Sequence, residues 1–176
     1  MASTVEDAQV TDPQAEPKAS DGAAYAHDVF ASVVTNGPIS DAWRFTLWSN
    51  YYTEPCFSAM SRDFDVGRDE FNVLSCLSSH GPMAAKTICE VTGRPKNSIS
   101  RAVTRLSGRK MIRRKTNPLD RRESSLILTE SGRKLYERVL PIAIDRQSTM
   151  LSGLSSSERA LLDQVLNKLM QYRHEW

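Results

Sequence analysis

Apolar residues recur at helical spacing through most of this chain, and the places where the pattern lapses mark its joints. Ser40 to Phe64 predicts a long helix with Ser40 or Asp41 as its N-cap. Trp43, Leu47 and Tyr51, with Trp48 and Tyr52, lie three and four apart and form one wide apolar face. Pro55 sits inside it and predicts a kink or a split into two helices. Asp69 to Ser79 is a second helix, with Phe71, Val73, Leu74 and Leu77 inward and Asp69-Glu70 suited to its N-terminus. His80-Gly81-Pro82 ends it. Ala84 to Val91 is a third, short helix with Ala85, Ile88 and Cys89 apolar, and Thr92-Gly93-Arg94 is a tight turn. Pro95 is well placed to open a fourth helix, where Ile99, Ala102, Val103 and Leu106 fall at i, i+3, i+4 and i+7.

The period then changes. Met111 to Lys115 and Ser124 to Leu128 read as two short strands joined by Asn117-Pro118-Leu119-Asp120, with Ile112, Leu126 and Leu128 inward. Thr129 caps a long helix running to Leu151, which Pro141 should bend. Ser155 and Glu158 make a capping box before the last helix. There Leu161, Leu162, Val165, Leu166, Leu169 and Met170 form a stripe too wide for one small domain to cover. It predicts burial against another helix, most simply across a two-fold axis. At the other end, residues 1–24 are acidic and nearly free of apolar side chains, so a disordered tail is expected. Tyr25 to Val34 is a short helix or docking arm, ended by Asn36-Gly37-Pro38. Helix, turn, helix and hairpin over 67–128 is the layout of a winged helix-turn-helix in a mainly α chain.

Charge sharpens this picture. Eleven Lys or Arg and one acid, Asp120, stand between Arg94 and Arg122, whereas the whole chain has 23 basic and 21 acidic residues. The other 147 residues therefore keep 12 basic and 20 acidic groups. A near-neutral protein with its positive charge gathered in one folded segment presents that segment to a polyanion. On the fourth helix, the face opposite the apolar stripe holds Asn97, Arg101 and Thr104, flanked by Ser98, Ser100 and Arg105, with Lys96 at the start. It carries no acid. Short polar donors among arginines suit base edges and phosphates, so this helix is read as the one that enters a major groove. Arg113 and Arg114, then Arg121 and Arg122 at the wing tip, are placed to meet the DNA backbone or a minor groove.

Other chemistry is thin. There is no nucleotide-binding glycine motif, no HExxH and no GxSxG, and His27, His80 and His174 are far apart, so no enzyme is expected. Cys56, Cys76 and Cys89 are odd in number and lack CxxC spacing, which argues against zinc and against a disulfide framework; no metal or cofactor is expected. With no signal peptide and no apolar run long enough to span a membrane, a cytoplasmic protein is expected.

Asp120-Arg121-Arg122, followed by Leu128-Thr129-Glu130-Ser131-Gly132, resembles the wing signature of the MarR family of bacterial transcriptional regulators, a D-x-R and then L-T-x-x-G. Asn97-Ser98-Ile99-Ser100-Arg101 with Leu106 is similar to its recognition helix, and the resemblance covers about Trp43 to Met170. The usual lysine-glycine pair before the wing is replaced by Gly108-Arg109-Lys110, and the N-terminal extension is longer than a minimal member needs. The resemblance implies a homodimer on palindromic double-stranded operator DNA, with 39–66 and 129–176 as a helical dimerisation region. It gives the DNA contacts to Asn97, Ser98, Ser100, Arg101, Thr104 and Arg105, the minor groove to Arg122, and the orientation of the wing to Asp120.

It further implies a repressor, of a catabolic or efflux operon, released by a small aromatic effector. Trp43, Arg44, Trp48, Tyr51 and Tyr52, with His80, are the residues expected to receive it, aromatic walls plus a cation suiting a carboxylated ring. Two alternatives stay open on the residues alone. One is a thiol-based redox regulator acting through Cys56, although no basic residue lies within five positions of it. The other is a winged module that binds RNA or a protein partner.

Overall fold

The computed structural model describes residues 22–116 and 124–172, which divide into two compact units between Ser49 and Asn50. The expected acidic tail up to residue 21, the loop from Asn117 with Asp120, Arg121 and Arg122, and His174 lie outside the described residues.

In the first unit α1 (Gly22–Phe30) passes into a short π-helical turn, Ala31–Thr35, so the expected arm over 25–34 is helical throughout. The turn closes where the Asn36 amide donates to the Ala31 carbonyl at 2.9 Å. The helix α2 (Ser40–Phe64) begins in this unit and runs across the boundary into the second. Trp43, Phe45 and Trp48 on its first half are exposed, as is Tyr51 further along at 61%. Its aromatic stripe therefore does not form a core within one chain until Tyr52, Phe57 and Phe64, beside the buried Cys56 and Met60.

The second unit holds the rest of α2, then α3 (Arg68–His80), α4 (Ala85–Thr92), α5 (Lys96–Gly108), β1 (Ile112–Thr116), β2 (Ser124–Leu128), α6 (Glu130–Met150) and α7 (Ser156–Gln171). Every element expected from the periodicity is present, with ends displaced by a residue or so, where helix and strand termini are least well defined. β1 and β2 pair antiparallel, Ile112 opposite Leu128 and Arg114 opposite Leu126. Met83, which belongs to no expected element, exchanges two backbone hydrogen bonds with Leu126, at 2.8 and 3.3 Å, and so ties the start of α4 to the hairpin.

Pro55 does not split α2, which continues through it. A proline has no N–H, so the carbonyl four residues back, that of Tyr51, loses its helical donor. The Arg146 guanidinium of α6 donates to that carbonyl instead. The vacant position is filled from another helix, which removes much of the cost of the proline. Pro141 likewise lies within a continuous α6.

The core of this unit joins the inner faces of α3, α4, α5 and the hairpin to the second half of α2 and to α6, with Val73, Leu74, Ile88, Ile99, Leu106 and Leu126 essentially inaccessible to solvent. The four residues of the α5 stripe are all buried. α7 contributes nothing buried: Leu161 is 60% and Val165 45% exposed, and only Leu162 and Leu166 are half-covered. Among the described residues no helix is long and apolar enough to cross a membrane.

Candidate nucleic-acid interface

α5 is positioned from behind and from both ends. Ile99, Ala102, Val103 and Leu106 bury one face; the three larger side chains are worth roughly 1.5–3 kcal/mol each where fully covered, and the Ala102 methyl about 0.8 kcal/mol. Pro95 is its N-cap, and Gly93 precedes it at φ 64, a left-handed turn that costs a glycine nothing. Lys96, Asn97, Ser100, Arg101, Thr104 and Arg105 then stand exposed along the other face, with Ser98 half-buried. Asn97 accepts from the Ser98 amide at 2.8 Å, and the Thr104 hydroxyl donates to the Ser100 carbonyl at 3.0 Å, leaving its lone pairs outward. Arg101 makes no ion pair with any described residue, and neither do the exposed Arg113, Arg114 and Lys115 of β1.

A cleft of about 480 Å³ lies between α4, α5 and the wing strand. Its floor is Ala85, Ile99 and Val103, and Lys86, Lys96 and Arg114 stand round it. Arg114 thus reaches back toward α5 rather than away from it.

The wing signature has a mechanical basis. The Thr129 hydroxyl caps α6 by accepting from the Gly132 amide at 3.1 Å, and donates toward the Lys110 and Met111 carbonyls at 2.8 and 2.9 Å. One side chain therefore joins the exit of α5, the start of β1 and the start of α6. Lys110 takes φ 60, the conformation a glycine would adopt most readily, at the place where the usual lysine-glycine pair is missing.

This match extends beyond local motifs. The sequence profile of the MarR family matches residues 64–123. A solved MarR/EmrR family regulator from Acinetobacter sp. ADP1 superposes with a TM-score of 0.70 at 26% identity, covering 77% of this chain and 96% of that one. The chain carries a MarR-family domain.

Among curated relatives, the MarR-type chain is 29% identical over 114 residues to the HTH-type transcriptional repressor NicR of Pseudomonas putida, 65% of this chain and 72% of that one. BpsR of Bordetella bronchiseptica, solved in a study of how 6-hydroxynicotinic acid regulates its DNA binding, shares the fold at a TM-score of 0.60 and 24% identity, over 71% of this chain and 96% of its own. With that domain the chain is a DNA-binding transcriptional regulator.

The MarR family reading does not foresee what Arg105 does. Its guanidinium lies 2.8 Å from Asp65 and 3.2 Å from Glu70, and the Asp65 carboxylate holds it firmly protonated. One turn on, Arg109 donates to the Asp65 carbonyl at 2.6 Å and the Phe64 carbonyl at 3.2 Å, the exposed end of α2. Arg94 pairs with Asp69 at 2.6 Å. These partners are 25 to 45 positions apart, beyond the reach of any local pattern.

The residues expected to take an effector are placed as follows. Arg44 donates to the Thr35 carbonyl at 3.1 Å and pairs with Asp41 at 3.2 Å, within the first unit. Trp43 and Trp48 are exposed on α2 in that unit. In the second unit Tyr51 is exposed, Tyr52 half-buried, and His80 is the exposed last residue of α3. Cys56 is buried, and burial pushes its thiol up, against the pull of a hydrogen bond from Tyr52 and the charge of Arg146. Arg146 is the basic neighbour that sequence spacing does not reveal.

Proposed function

We propose that the chain is a homodimeric repressor that sets two copies of α5 into the major grooves of a palindromic duplex operator and leaves it on binding a small aromatic acid. The observation that carries the DNA part is the outward face of α5. Its polar residues and Arg101 are exposed without an acid among them, beside Arg113 and Arg114 of the wing strand, which make no ion pair with any described residue. Lys96, Asn97, Ser98, Ser100, Arg101 and Thr104 meet bases and phosphates. Arg113, Arg114, Arg121 and Arg122 hold the backbone, and Asp120 orients the wing. The uncovered apolar stripe of α7 supports the dimer, because a monomer rarely leaves such a surface in water. The relative in Pseudomonas putida supports repression, being itself a repressor. The effector reading rests on Trp43, Arg44, Trp48, Tyr51, Tyr52 and His80. Hydroxynicotinate is the natural first probe, since BpsR responds to it.

The test is enrichment of binders from a random duplex pool, followed by affinity measurements on the winner. Arg101→Ala should cost about 1–3 kcal/mol on that site and relax its sequence preference, whereas Arg113→Ala should weaken every sequence alike and flatten the salt dependence. Equal losses on specific and random DNA for Arg101→Ala would sink direct readout. In the same assay an aromatic acid should release the site, and Arg44→Ala or His80→Ala should raise the concentration needed. Release that is unchanged in both variants removes those two residues from the effector site.

A further inference from the structure

Resting on the DNA-binding reading above, we propose that Asp65, Asp69 and Glu70 are positioning residues for sequence readout, and that Arg94 and Arg105 serve as clamps on the protein itself rather than as phosphate contacts. Two consecutive acids in the first turn of α3 hold both ends of the reading helix. Asp69 takes Arg94, just before α5, through two hydrogen bonds of 2.6 and 3.3 Å. Glu70 takes Arg105, in the last turns of α5, at 3.2 Å. Asp65 closes the far end by meeting Arg105 at 2.8 Å and Arg109 at 3.6 Å.

The placement is hard to explain as stability alone. Glu70 is 6% exposed, and burying a carboxylate beside an arginine gains little over an apolar pair. It is hard to explain as DNA affinity as well. An acid beside the binding face repels phosphates, and Asp65 is largely exposed there. What these groups supply is direction. The apolar stripe of α5 sets how deeply the helix sits, but apolar contact is non-directional and tolerates small slides and rotations. Charge-assisted hydrogen bonds at both ends do not. A side chain that reads a base must be held to within about 0.5 Å.

The local backbone is built for this arrangement. Asp65 stands at φ 53, which turns its carbonyl and that of Phe64 toward Arg109 while its carboxylate faces Arg105. A Cβ on Gly67 would come within 2.6 Å of a Glu70 carboxylate oxygen, so the glycine leaves that group room to lie where it does.

The experiment uses the full chain and compares its enriched duplex with a random one. Asp65→Asn is the first variant: asparagine tolerates the left-handed conformation, and the position is exposed, so the fold should survive, which a melting curve checks. Charge alone predicts that Asp65→Asn, Asp69→Asn and Glu70→Gln tighten binding to both duplexes. Positioning predicts that the preference for the enriched site falls about tenfold, while random-duplex affinity holds or rises. Arg105→Lys keeps the charge that a phosphate would see but not the fork that spans Asp65 and Glu70, and should lose the preference in the same way. A specific-to-random ratio equal to wild type in Asp65→Asn and Arg105→Lys overturns the inference. So does a rise in both affinities together. Should Glu70→Gln unfold, those two variants still decide. If the wild-type chain enriches no duplex at all, the DNA reading falls and this inference with it; enrichment by wild type with an unchanged ratio in the variants overturns this inference alone.

Discussion

At Gly132 there is no room for a side chain. A Cβ built there would sit 2.0 Å from the Met111 carbonyl oxygen and 2.8 Å from a Leu128 methyl, and the carbonyl belongs to backbone that Thr129 also holds. Gly132→Ala should therefore destabilise the fold by about 3 kcal/mol, the upper end for overpacking a rigid site. Urea unfolding checks it, and a midpoint equal to wild type would show that the wing junction yields. The same residues show what was legible in advance. The glycine and the Thr129 cap were visible as a motif, because a helix start leaves its mark within three or four positions. The buried set Ile99, Ala102, Val103 and Leu106 was visible for a like reason: the helical period repeats in the sequence itself. The partners of Arg105 were not. Nothing near it along the chain announces Asp65 or Glu70, which only the packing of α3 against α5 brings near.

Among the elements, α2 departs most from its sequence pattern. Pro55 predicts a kink or a split, yet the helix continues, and Arg146 supplies the donor that proline lacks. This compensation is testable as a cycle. Arg146→Ala should cost about 1.5–3 kcal/mol, the net worth of hydrogen bonding from a charged donor, by leaving the Tyr51 carbonyl without the two N–H groups that meet it. Pro55→Ala restores the helical N–H, so in that background the same Arg146→Ala should cost much less. Stability measured for both singles and the double gives the coupling directly. A cost that is the same in both backgrounds would mean that Arg146 acts elsewhere, for instance on Cys56, whose thiol its charge also touches. The outward aromatic half of α2 was legible as a stripe but not as to what it faces. Amphipathic spacing predicts that a face is covered, and does not say whether the cover comes from the same chain.

For the whole molecule the same ambiguity becomes a prediction about assembly. The last helix, α7, keeps its apolar stripe in solvent, and concentrated positive charge in one segment gives a single chain only one reading helix. Both features are resolved if two copies pair through these helices, because pairing covers the stripe and presents two α5 helices at a fixed spacing. Sedimentation equilibrium should then give twice the chain mass of 19.7 kDa. Leu161→Glu with Val165→Glu places charge in the centre of the stripe, on positions that bury nothing within one chain, so each chain should stay folded while the dimer dissociates. Salt dependence reads out the consequence for DNA. The slope of affinity against salt counts the phosphates neutralised, about 0.9 per contact on duplex DNA, so a monomer that keeps half the contacts should show about half the wild-type slope. A double variant that stays dimeric, or a monomer that keeps the full slope, would place the two-fold contact on some other surface.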